Sequence, residues 1–282
     1  MKPLRDTARH PERRGALGKP LSEYELPTFS AVVVHALHQV RSPDADAKEV
    51  ARLLEADPGI TVKLLRLCNS ASFGLNRAVN STSHAVALLG RTQVEALLLA
   101  VAVGNALPKT TVPELDASVF WCGAARRAAT AGLLAEKIDP PHVRDSFTAA
   151  LLQDMAVPLL AEVHSEVYGQ LLAEWRMSGD DLAERERAAL GLDHAEVGAW
   201  MCEQWRFSGQ IMRAIGAHHG IWDETDLPAV TLVSLLTDAP LEYGQARFAA
   251  AVEERCQISQ ADALALLARA EEEAATIAQL FA

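Results

Sequence analysis

The sequence predicts an all-α protein, and three observations predict it. Apolar residues recur at i, i+3 and i+4 almost everywhere from residue 26 onward, the spacing that a 3.6-residue turn gathers onto one face. Ser, Thr and Asp precede those runs, where helix N-caps belong. No series of short alternating runs joined by hairpin turns appears.

Ala31 to Val34 is strand-like in composition, but it lies within the longer pattern of Val33, Leu37 and Val40 and reads as helix. The cap-rich stretch Ser42-Pro43-Asp44-Ala45-Asp46 leads into a helix whose inward face is Val50, Leu53 and Leu54. Asp57-Pro58 restarts the chain with proline in the favoured first turn, and Ile60, Leu64 and Leu67 form the next stripe. Thr92 with Glu95 has capping-box spacing, as does Asp193 with Glu196, the latter ahead of Val197, Trp200, Met201 and Trp205. Ser259 with Asp262 opens a final Ala/Leu/Glu helix. Turns are expected at Phe73-Gly74, Gly90, residues 108–113, Pro140-Pro141, Ser178-Gly179 and Gly220, and the 108–113 stretch is the candidate hinge between two helical lobes.

At 282 residues with 50% hydrophobic and 22% charged residues, the chain has ample material for a core. A net charge of -11 counts against a nucleic-acid binder held by phosphate contacts, which needs a cationic surface. Residues 1–20 carry Lys2, Arg5, Arg9, Arg13, Arg14 and Lys19 and are expected to be a disordered basic tail. That tail has no apolar segment of the secretory kind, and the longest strongly apolar stretch, Ala96 to Gly104, is far short of the ~20 residues that span a bilayer. A cytoplasmic protein with no membrane insertion is therefore expected. Cys68, Cys122, Cys202 and Cys256 are too scattered for a zinc cluster and are read as reduced thiols. There is no Walker A loop and no GxGxxG, and the tryptophans are read as core or lobe-interface residues.

Leu26-Pro27, LLEADPGITVKLLRLCNSASFGL (53–75), VNSTSHAVALLG (79–90), FWCGAA (120–125), AALLQDMAVPLL (149–160), LDHAEVGAWMCEQW (192–205) and IMRAIGAHH (211–219) together resemble the HDOD family. These are bacterial signalling domains related to HD-superfamily phosphohydrolases, and the resemblance covers roughly residues 22–240. It implies an HDOD domain over 21–240, with lobes of about 21–107 and 114–240, the second resembling a degenerate HD-superfamily helical core. Residues 241–282 would then be a C-terminal helical extension. Active HD relatives hold divalent metals on a His, an adjacent His-Asp pair and a later Asp. Here the first His falls at Gly123 and the paired His at Gln153, while Asp154 and Asp238 persist. His194, His218 and His219 match histidines that supply a second metal centre in HD-GYP-type relatives.

The same three histidines sit at expected helix termini, where cationic or hydrogen-bonding groups suit the exposed backbone without any metal. Successive residues on a helix point about 100° apart, so His218 and His219 are not expected to share one coordination site. The reading is therefore a vestigial metal-site cleft between the lobes, lined by Asp154, His194, His218, His219 and Asp238, with no catalytic residue and no metal. A residual divalent metal is the alternative. Asn69, Ser70, Ser72 and Phe73, an aromatic among small polar residues in a turn, form the candidate recognition loop. No receiver, GGDEF or kinase segment is present, so the resemblance implies a stand-alone, non-catalytic regulator that works through signalling proteins in motility, virulence or cyclic-di-GMP networks. A metal-dependent phosphohydrolase and a nucleotide-sensing switch are the alternatives. The partner and the oligomeric state are not legible.

Overall fold

In the computed structural model the described residues are 24–42, 46–75, 77–108, 112–220, 227–236 and 241–281. The expected basic tail, Asn76, Trp222, Asp238 and the middle of the 108–113 hinge lie outside them. Among the described residues the chain is helical and contains no strand. The first four helices are α1 (Ala31–Arg41), α2 (Ala47–Glu55), α3 (Pro58–Cys68) and α4 (Thr82–Ala106). Two of the predicted caps are made here: Asp46 accepts from the Lys48 amide and Asp57 from the Ile60 amide, with Pro58 in the first turn as expected. Ala31 to Val34 is helical, with Ser30 as its cap. The Thr92–Glu95 box is not formed. The chain breaks two residues earlier, at Gly90 with φ 74°, and Glu95 instead pairs with Arg41 at 2.6 Å.

α1, α2 and α3 pack around α4, whose Leu97, Leu98 and Leu99 are almost fully enclosed. The second hub is α5 (Ala117–Ile138), which packs against α6 (Val143–Leu152) and, further along the chain, α12 (Pro228–Val233) and α14 (Gln260–Ala278). α4 also meets α6, so the two helical groups share one continuous apolar core. Between them in sequence run α7 (Val157–Val163), α8 (Ser165–Ser178), α9 (Leu182–Leu190), α10 (His194–Trp205) and α11 (Gly209–Gly216), and α13 (Leu241–Cys256) precedes α14. Ser259 caps α14 from the Asp262 amide and donates to its carboxylate, as its spacing predicts. The final helix packs on α5 of its own chain, and Phe281 beyond it stacks on Trp121 at 4.6 Å.

Two stretches, Thr82–Ala106 and Pro140–Val163, are long and apolar enough by composition to cross a membrane, longer than Ala96 to Gly104 suggested. The bundle buries 61% and 83% of their most apolar windows, so the core accounts for their character.

One glycine is required by close approach. A Cβ on Gly132 of α5 would lie 2.0 Å from the carbonyl oxygen of Ser72, a backbone atom in the short turn Ala71–Phe73. Both sides are buried, so neither can relax without opening the core. Gly132→Ala is expected to lower stability by about 2–3 kcal/mol, read as a shift of the urea midpoint at unchanged slope.

Candidate metal centre

Asp154 lies in the turn between α6 and α7. His194 is the first residue of α10, set there by Asp193, which accepts from the Glu196 amide at 2.8 Å. His218 and His219 follow the end of α11 at Gly216. α10 and α11 approach through small residues: a Cβ on Gly216 would sit 3.0 Å from that of Ala199, and one on Gly198 would sit 3.0 Å from Ile215. This approach carries His218 and His219 onto His194, and the Ser234 hydroxyl fixes the turn by donating to the His218 carbonyl at 2.9 Å.

The ring nitrogens converge. His194 Nε2 is 3.2 Å from His218 Nε2 and 2.9 Å from His219 Nε2. Asp154 Oδ1 lies 3.4 Å from His194 Nε2 and 3.3 Å from His218 Nε2, and the four ligand atoms all fall within 4.8 Å of one another. The expectation that His218 and His219 could not share a site is corrected. It assumed continuing helix, whereas residues 217–219 form a turn that aims both rings inward. His194 opens α10 as expected, but only His218 bonds exposed helix-end backbone, its Nδ1 donating to the Ile215 carbonyl at 2.6 Å.

The opposite nitrogens define the chemistry. His194 Nδ1 meets Glu186 Oε2 at 2.6 Å, His218 Nδ1 meets the Ile215 carbonyl, and His219 Nδ1 meets Asp181 Oδ1 at 3.2 Å. Carboxylates and carbonyls only accept, so each Nδ1 carries a hydrogen and each ring, when neutral, points a lone pair into the centre. Three lone pairs and a carboxylate oxygen cannot satisfy one another; they are met either by a second proton on one ring or by a metal ion. A tetrahedral ion held by nitrogen and oxygen at ~2.0–2.1 Å needs ligand atoms about 3.3–3.4 Å apart, close to the spacings found. A borderline divalent metal such as zinc therefore fits the donor set.

The other half of the expected ligand set is different. Arg127 of α5 places Nη2 2.5 Å from Asp154 Oδ2, and its Nη1 faces the Leu236 carbonyl at 3.5 Å. Gly123 offers no side chain, and Gln153, 2% exposed, has its Oε1 without a hydrogen-bond partner. Burial opposes the charge on Asp154, but Arg127 and then the two histidines hold its carboxyl well below the usual range. Burial likewise opposes charge on His194, yet the Glu186 and Asp154 carboxylates hold it well above 6.5. Burial and the neighbouring His219 push His218 down to about 4. Asp181 falls to about 2, because its hydrogen bond and charge contact with His219 outweigh burial.

Glu186 is fully enclosed. It accepts from the Tyr168 hydroxyl and from both the backbone amide and Nδ1 of His194. Arg127, Tyr168, Asp181 and Glu186 were all missed by reading the sequence. Only Arg127 left a signal, as one of two arginines in the apolar run around residues 119–134.

Among the described residues the cavity over the centre is lined by residues from Leu115 to Arg255 and by none before them. The expected cleft between the lobes is therefore corrected: the described lining comes from the second half of the chain. The candidate recognition loop is also elsewhere. Phe73 is fully buried edge-on against Phe147, Ser72 is buried, and Asn69 braces Val79 through both backbone atoms. The Ser70 and Ser72 hydroxyls both donate to Glu273 of α14, so the loop is a packed brace that does not present Phe73.

A protein-family model described as HDOD domain matches residues 26–221. An uncharacterised protein of Treponema pallidum (strain Nichols) is 25% identical over 205 residues, covering 70% of this chain and 38% of that protein, so the chain spans well under half of this curated relative. A structure from Shewanella amazonensis SB2B, provisionally described as a phosphohydrolase, superposes with a TM-score of 0.69 at 23% identity, covering 93% of this chain and 96% of that one. An HDOD domain protein of unknown function from Geobacter sulfurreducens gives 0.61 at 21%, covering 90% and 92%. A protein of Marinobacter aquaeolei VT8, provisionally described as a signal transduction protein, gives 0.65 at 21%, covering 92% and 60%. At these identities the structures share the fold.

Proposed function

Starting from the fact that this chain belongs to the HDOD family, matched over residues 26–221, we propose that it is a non-catalytic signal-transduction protein whose His/Asp centre holds one divalent metal as a binding element and acts through partner proteins. The observation that carries this reading is the Arg127–Asp154 ion pair. In catalytic HD relatives the conserved carboxylate serves the metal ligated by the first His and the His-Asp pair. Here a fixed guanidinium holds one oxygen of that carboxylate, beside Gly123 and Gln153 in place of the two imidazoles. The other oxygen faces His194 and His218, which with His219 would hold the single ion. Such an ion would supply Lewis acidity toward a bound oxyanion. A guanidinium offers no general base, so in this reading the chain's own residues position a ligand without activating a nucleophile.

The convergence of three imidazoles favours a second reading, a metal-dependent phosphohydrolase, and one experiment separates the two. Untagged protein grown in metal-replete medium is analysed for metal content and assayed with bis(p-nitrophenyl) phosphate. About one transition-metal ion per chain, lost in the His218→Ala/His219→Ala variant, with no turnover, is the expected result. Multiple turnover that disappears in Asp154→Ala overturns the non-catalytic reading, and a folded wild type that takes up no metal overturns the metal.

A further inference from the structure

The family match ends at residue 221, yet the cavity over the centre is closed by a later element. Arg247, Ala251 and Arg255 of α13 form one wall, while Trp175 and Arg176 of α8 also border the cavity. Its volume is about 250 Å³, at or below the lower end of small-molecule sites, which run from about 300 Å³ upward. That suits a single-ring compound better than a whole cyclic dinucleotide.

The lining is divided by chemistry. Val119, Phe120, Leu172 and Leu235 make it apolar on one part of its surface. Gln153 Oε1, Trp175 Nε1 and Thr231 Oγ1, all on lining residues, are buried and have no hydrogen-bond partner. Buried polar atoms left without partners are costly; the Trp175 N–H and the Thr231 hydroxyl can donate to an oxyanion, whereas the Gln153 oxygen only accepts. Among the described residues neither Arg176 nor Arg247 has a carboxylate within 4 Å, and Arg247 rests on the Tyr243 ring. Asp116, Asp180 and Asp181 border the cavity as well, and within that mixed lining the two guanidinium groups suit an oxyanion, which takes two parallel N–H donors.

We propose that α13 converts the metal centre into a binding pocket for a small amphipathic oxyanion: one phosphonate, phosphate or carboxylate head, taken by Arg176 and Arg247, on a single planar ring seated against Phe120 and Trp175. The inference rests on the centre being a non-hydrolytic site, and it moves ligand selectivity to a helix outside the family match.

The test is calorimetric titration of the metal-loaded full chain with phenylphosphonate, which cannot be hydrolysed, and in parallel with benzoate, inorganic phosphate, phenol and cyclic di-GMP. Phenylphosphonate or benzoate is expected to bind about tenfold or more tightly than inorganic phosphate or phenol, with the better of the two naming the head group. Arg247→Ala and Arg176→Ala are each expected to weaken that binding about tenfold, and Trp175→Phe by a few-fold. Arg247→Gln serves as a second variant that keeps most of the side chain's packing. Failure of both ring-bearing oxyanions to bind overturns the proposal, as does binding indifferent to Arg176 and Arg247, or cyclic di-GMP binding that depends on them. Release of phenol from phenyl phosphate, assayed separately, overturns the non-catalytic reading on which the inference rests, and phenylphosphonate, which cannot be hydrolysed, keeps that outcome distinguishable from a failure to bind.

Discussion

Glu186→Ala is expected to destabilise the protein by about 3 kcal/mol and to weaken metal binding roughly 10–100-fold. The reason is the number of donors that converge on one enclosed carboxylate. Tyr168 donates its hydroxyl to one oxygen, while the His194 amide at 2.7 Å and the His194 ring at 2.6 Å donate to the other. Removing the acceptor strands three buried donors at about 1–3 kcal/mol each, an amount that water entering from the adjoining cavity would partly recover. His194 would also lose the bond that fixes its tautomer and aims Nε2 at the centre. Glu186→Gln should separate folding from metal binding. Its amide oxygen can still accept both bonds from His194, and the Tyr168 hydroxyl can turn to accept from the amide nitrogen, so most of the stability returns. Metal affinity stays reduced because a neutral amide no longer increases the basicity of the ring. Urea denaturation reads the first effect and competition with a chelator reads the second. An alanine variant as stable as the wild type would show that Glu186 does not seat His194.

Glu186 also marks where sequence reading stops. Its neighbours, Glu184, Arg185 and Arg187, make it look like part of a solvated charge run, and nothing in helix periodicity tells that one acid of four charges turns inward. The helices themselves were legible because local rules made them: Asp57, Asp193 and Ser259 cap through bonds within three residues of themselves. Thr92 obeyed the same spacing and failed, since Gly90 broke the chain first and Arg41, 54 residues away, captured Glu95. The family resemblance nominated Asp154, His194, His218 and His219 position by position. Their convergence depended on where α11 ended, a matter of one turn at Gly216, and on the close seat of α10 that Gly198 and Gly216 permit. The charge that answers Asp154 comes from a different helix, α5, and the long-range pairing of Arg127 with it left no local pattern to read.

Metal uptake at pH 7 is expected to release about one proton, and apparent affinity should fall about tenfold for each pH unit below the His194 transition. Without a metal, the converging nitrogens and Asp154 still need a cation, and the Glu186 and Asp154 carboxylates make His194 the group that takes a second proton. A metal must displace that proton before it can bind, which calorimetry in buffers of different ionisation enthalpy measures directly. The same ordering fixes the stability of the chelated protein. His194 is raised above its unfolded value of 6.5, so its contribution is complete below pH 6.5 and is lost as pH rises through the folded-state value. His218 is lowered to about 4, so its contribution is complete above pH 6.5 and is lost as pH falls toward 4. The two opposite slopes meet near pH 6.5, where the metal-free protein should be most stable toward urea. Bound metal replaces the proton and carries the optimum to higher pH, because neutral imidazoles are what it ligates. A chelated protein that releases no proton on metal binding between pH 6 and 8 would mean that His194 is already neutral, and that the fold tolerates three opposed lone pairs without a cation.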